Sequence, residues 1–124
     1  MDSESSYREL SPIEKKLIER LLETHFPGRD QIEEQIRVCK VRTLDDDGCL
    51  EFAIPGGTAA ALVTHRVPVE AEAEDSEGNR VHMLLHVANG IINELEFFTE
   101  SGNPINRLPS PEKWDVIVLP PPPL

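Results

Sequence analysis

The sequence predicts an α+β domain: one long N-terminal amphipathic helix packed on a mostly antiparallel sheet of about five strands. Three observations carry this. Apolar residues recur at helical spacing behind a capping signal at Ser11. From Val67 onward they alternate with polar residues, the period of a half-buried strand. The Gly-containing turns "DDDG", "DSEGN", "NG" and "SGNP" then divide the chain into short segments.

The helix is expected in "SPIEKKLIERLLETHFPG". Ser11 is the N-cap, Pro12 the first helical residue, and Glu14 closes a capping box. Ile13, Leu17, Ile18, Leu21, Leu22 and Phe26 form one stripe, and the "PG" at 27 and 28 stops the helix. One further helical turn is expected after Asp30. The domain so defined runs over residues 11–119, with a frayed tail at 1–10 and a Pro-rich tail at 120–124.

Two strands flank "DDDG". With Asp45 to Gly48 as the loop and Gly48 left-handed, Val41 faces Phe52, Thr43 faces Leu50 and Cys39 faces Ile54. Cys49 then lies opposite Leu44 on the other, wetter face, so the two thiols cannot bridge. "GGTAAALVTHR" is expected as a mobile loop. In the next hairpin, "SEG" with Gly78 at positive φ sets Val69 opposite Leu85, Ala71 opposite Met83 and Ala73 opposite Val81. "NG" at 89 and 90 reverses the chain into "IINELEFFTES", and "WDVIVL" supplies a last short strand before the prolines.

The chain of 124 residues carries a net charge of −11 with no basic pole. Nucleic acids and anionic membrane surfaces are bound through clustered Lys and Arg, so neither is expected as a partner. A basic protein would be steered in instead. No apolar run approaches the ~18 residues of a membrane span, and "MDSESSYREL" begins with acids rather than a basic leader. The expected compartment is the cytoplasm, with Cys39 and Cys49 reduced.

The candidate binding residues are Glu70, Glu72, Glu74, His82, His86 and Phe98. The hairpin register sets Glu72 opposite His82 and Glu74 opposite Arg80, cross-strand pairs that explain these residue types without chemistry. His82 and His86, four apart on a strand, lie about 13 Å from one another and cannot share a metal unaided. "DDDG" lacks the alternating ligands of a calcium loop. "GGTAAA" lacks the Gly-Lys-Ser/Thr ending of a phosphate loop, and no serine sits in a nucleophile elbow. No catalytic residue, metal site or cofactor is expected.

The run "VEAEAEDSEGNRVHMLLHVANGIINELEFFTESGNPINRLPSPEKW" resembles small uncharacterised bacterial proteins of the domain-of-unknown-function type. In these, a Leu-Glu strand leads into a Gly and Pro turn and a Leu-Pro segment. The resemblance implies no activity and no site residues; some small acidic bacterial proteins of this build serve as immunity or accessory partners.

The expected function is a non-catalytic interaction or accessory module, immunity-like, that holds another protein through Glu70, Glu72, Glu74 and Phe98. The partner is a basic protein by charge, or a second copy of the chain meeting it at Leu84, Ile91 and Phe98. The alternative is a small-molecule or metal-binding domain that uses Glu72, His82 and His86 in a cavity between helix and sheet.

Overall fold

Ser11 closes the N-terminus of the first helix in the computed structural model, which describes residues 7–119. Its hydroxyl accepts the Glu14 amide at 3.2 Å, and the Glu14 carboxylate accepts the Ser11 amide at 2.8 Å, completing the capping box. Burial works against the Glu14 carboxylate, but hydrogen bonds from Arg8 and Ser11 prevail and hold it below its ordinary pKa. Helix α1 spans Pro12–Leu22 and buries Leu17, Ile18, Leu21 and Leu22.

The long helix expected through Phe26 is thus an eleven-residue one. Thr24, His25 and Phe26 are poor helix formers, and Pro27 disfavours helical backbone at the residue before it. Arg29 Nε donates to the Leu22 carbonyl, satisfying an acceptor that the last helical turn leaves open. Phe26 still enters the core, by a bend rather than along the helical stripe.

A second short helix, α2 (Arg29–Val38), replaces the single turn expected there. Its signal was weak because one of its two fully buried positions is Gln35. On its exposed side Glu33 bridges Arg29 at 3.3 Å and Arg37 at 3.1 Å, pairs at the i,i+4 spacing that supports isolated helices.

The sheet has six strands, one more than expected: β1 (Lys40–Thr43), β2 (Leu50–Ala53), β3 (Val69–Glu74), β4 (Arg80–Ala88), β5 (Ile91–Thr99) and β6 (Asp115–Ile117). All pair antiparallel, in the order β1-β2-β5-β4-β3-β6. Two hairpin registers are as the sequence predicts, with Val41 on Phe52 and Ala71 on Met83. The β4–β5 register slips by one residue between His86 and Val87. That bulge lets Ile92 and Leu95, three residues apart, both point into the core.

One face of the sheet carries Leu50, Val69, Ala71, Ala73, Val81, Met83, Leu85, Leu95 and Phe97, all buried in one cluster with the helix residues. α1 packs against β3, and α2 against β5. Cys49, expected on the wetter face, is buried instead. Its thiol accepts the Phe97 amide at 3.2 Å and donates to the Phe97 carbonyl at 3.4 Å, standing in for a ladder step where β2 runs out. Both cysteines are free thiols.

Residues 7–10, expected within a frayed tail, lie against β1. Arg8 and Val41 exchange backbone hydrogen bonds at 2.8 Å, and Leu10 is buried. The Pro-rich tail at 120–124 and residues 1–6 lie outside the described residues. The segment expected as a mobile loop is tied across one end of the core. The Ala61 amide donates to the Gly90 carbonyl at 2.8 Å, and the Val87 amide to the Arg66 carbonyl at 2.9 Å. Among the described residues no helix is long and apolar enough to cross a membrane.

Candidate functional site: the open face of the sheet

Side chains alternate across a strand, so burying Val69, Ala71 and Ala73 turns Glu70, Glu72 and Glu74 to the opposite face. β4 likewise presents Arg80, His82, Leu84 and His86 there, and β5 presents Glu94, Glu96 and Phe98. The ladder arranges them in rows: Glu51, Glu94 and His86; Glu96, Leu84, Glu70 and Ile117; Phe98, His82, Glu72 and Asp115. Arg42 extends the first row, and Glu100, just past β5, joins through its contact with His82. All six sequence-predicted site residues therefore share this face, away from the two helices.

The expected cavity between helix and sheet does not receive Glu72, His82 or His86. Their neighbours in sequence fill the core, and the period of two sends these three outward.

Ion contacts on the face run diagonally. Arg80, directly opposite Glu74 in the ladder, reaches Glu72 instead, Nη2 to Oε1 at 3.1 Å. Glu72 stands beside Asp115, and two adjacent carboxylates attract a guanidinium more strongly than Glu74 at the strand end. His82 Nδ1 lies 3.7 Å from Glu72, while its Nε2 is 2.8 Å from Glu100. His86 Nε2 is 2.8 Å from Glu96. The His82 ring stacks on Phe98, with centroids 4.8 Å apart and planes 11° from parallel.

At the β1–β2 end, Arg42 pairs with Glu51 at 2.8 Å, and the Tyr7 hydroxyl donates to the same carboxylate at 2.6 Å. That hydrogen bond raises the Tyr7 pKa, with burial and the Glu51 charge acting in the same direction. Both arginines of the face are thus already neutralised within it. Glu70, Glu74, Glu94 and Asp115 have no ion pair with another described residue.

Sequence reasoning missed Glu94, Glu96, Glu100 and Asp115. The alternation in "NELEF" marks the first two as outward-facing, but the bulge hides which β4 residues they meet. Asp115 enters the face only because β6 joins the edge of β3, a pairing no local signal announces.

These features define a class: a small α+β domain with two short helices on one face of an antiparallel sheet and a largely open, acidic second face. The chain belongs to the family described as domain of unknown function DUF6984, whose model matches residues 7–109. Strand β6 lies just beyond that match. No curated protein and no solved structure matches the chain.

Proposed function

We propose that this protein is a non-catalytic accessory module whose open sheet face docks a basic protein. The reading rests on one observation. Eight carboxylates (Glu51, Glu70, Glu72, Glu74, Glu94, Glu96, Glu100 and Asp115) share that face with three strand cations, of which Arg42 and Arg80 are engaged within it and Lys40, at the β1 edge, lies 3.6 Å from Glu9. Such a field speeds encounter with a positive partner and rejects negative ones. Leu84, Phe98 and Ile117 give the face apolar contact area among the charges. A second copy of the chain meeting this face through its own would bring like charges together.

Crosslinking in the native host, mapped by mass spectrometry, tests the reading. A partner crosslinked to the outer strand residues, and lost when Glu70, Glu74 and Glu94 are all changed to Gln, is the expected result. Recovery of the homo-oligomer alone, or of a partner indifferent to the triple change, would overturn it.

One observation favours a second reading, a divalent-cation site. Single donor atoms of Glu72, His82 and Glu100 lie within 4.8 Å of one another. One imidazole nitrogen with carboxylate oxygens is a donor set that zinc accepts, after the Glu side chains close to ligand distance. The guanidinium of Arg80 on Glu72 opposes it. Zinc at 100 times its dissociation constant would stabilise the fold by about 2.7 kcal/mol. An unchanged melting temperature across a zinc titration removes this reading.

A further inference from the structure

Building on the docking reading above, we infer that the basic partner presents an arginine, and that Phe98, with Glu96 and Glu100 beside it, is the seat for its guanidinium. Phe98 is 38% exposed, yet its ring is not free to turn, because it lies nearly parallel to His82 at 4.8 Å. An aromatic ring already fixed at the surface loses little rotamer entropy when a partner covers it. Glu96 and Glu100 stand two residues to either side of Phe98, on the same face of the same strand or its direct continuation, each about 6.6 Å away.

Each of these carboxylates contacts a histidine through Oε1, His86 for Glu96 and His82 for Glu100. Oε2 of each makes no hydrogen bond with another described residue. A fixed π surface flanked by carboxylate oxygens matches the planar, forked guanidinium, which stacks on the ring while its N–H groups reach the acids. The ammonium of lysine, compact and strongly hydrated, gains the charge attraction but less of the stacking. Arg80, at the start of β4, is drawn toward β3 by its contact with Glu72, away from Phe98 on β5.

The test titrates the full-length chain with two acetylated peptides, Gly-Arg-Gly-Arg-Gly and Gly-Lys-Gly-Lys-Gly, following backbone amide shifts by NMR at low salt. The arginine peptide should bind about two- to fivefold tighter, with the largest shifts at residues 96–100. Phe98→Leu, which keeps an apolar side chain at the position but removes the π surface, should equalise the two peptides, with its amide spectrum confirming that the chain is still folded. Equal binding of both peptides by the wild type, or a preference that survives Phe98→Leu, overturns the arginine seat and leaves the docking reading standing. Absence of peptide binding overturns the seat as well. The docking reading is decided separately, by the host crosslinking experiment and its Glu70, Glu74 and Glu94 variant.

Discussion

The side-chain amide of Gln35 donates to the Gly90 carbonyl at 2.9 Å, joining α2 to the turn between β4 and β5. The same nitrogen donates to the Ala59 carbonyl at 2.9 Å, and Oε1 accepts the Ile92 amide at 2.9 Å. A fully buried glutamine with all these bonds made is a cross-link between three segments distant in sequence.

Gln35→Leu keeps the volume but orphans the buried Ile92 amide and frees the Ala59 carbonyl. The expected loss is about 2–3 kcal/mol, since a buried unpaired backbone group alone is worth 1–3. Urea unfolding with an unchanged slope and a lowered midpoint is the measurement. A loss under about 0.5 kcal/mol would mean that water replaces the amide and that the cross-link carries little.

Gly90 and Gly102 both have positive φ, +78° and +81°, but only one is crowded. A Cβ on Gly90 would lie 2.8 Å from Ala60 Cβ and 2.9 Å from the Ala61 carbonyl oxygen, whereas a Cβ on Gly102 meets nothing within 4 Å. Gly102→Ala should cost about 1 kcal/mol, the strain of left-handed backbone alone. Gly90→Ala should cost more than twice that, because the 59–61 strap must also shift. Melting temperatures of the two variants compared side by side check this, and equal losses contradict it.

The diagonal reach of Arg80 to Glu72 makes a further prediction, since the residue directly opposite Arg80 is Glu74. A double-mutant cycle over Arg80 and Glu72 should give a coupling of about 0.2–1 kcal/mol, the range for exposed pairs. The cycle over Arg80 and Glu74 should give a coupling near zero. Coupling to Glu74 as large as that to Glu72 would show that the guanidinium spends its time with the ladder partner.

What the chain reveals of its fold follows the range of each interaction. Capping at Ser11 and the hairpins around Gly48 and Gly78 are local, so turn chemistry and alternation suffice to set Val41 on Phe52 and Glu72 on His82. The end of α1 is only partly local: Thr24 to Phe26 ahead of Pro27 disfavour helix, but Arg29 returning to Leu22 and Phe26 finding the core complete the stop. α2 hides because the core position at Gln35 is polar and is satisfied by partners 24 to 57 residues away in sequence. The bulge near His86 had a trace in the sequence, since Ile92 and Leu95 cannot both face the core of an unbroken strand. The acidic face was legible as far as its β3–β4 half. On β5, alternation marks Glu94 and Glu96 as outward but the bulge hides their β4 partners, and Asp115 needed the β6 pairing, so the density of charge became visible only in the assembled sheet.

The buried thiols should make the fold sensitive to alkali. Burial pushes Cys39 from 9.0 up to about 11, helped by the nearby Glu9 carboxylate. Burial pushes Cys49 from 9.0 up to about 12, with the Phe97 amide acting in the opposite direction and Asp45 adding to the rise. In the unfolded chain both ionise near the ordinary value, whereas the folded chain keeps them neutral. Their contribution to stability is therefore fully present below about pH 9 and is lost as pH rises through the folded values. Urea midpoints should fall between about pH 9 and pH 12, and the fall should be shallower in a Cys39→Ala, Cys49→Ala variant, whatever its starting stability. Neither thiol should react with Ellman's reagent at pH 8 without denaturant, because the nucleophile is the thiolate and both groups are buried. Equal slopes in the two proteins, or prompt labelling of the folded one, would show that the thiols are more accessible than their burial allows.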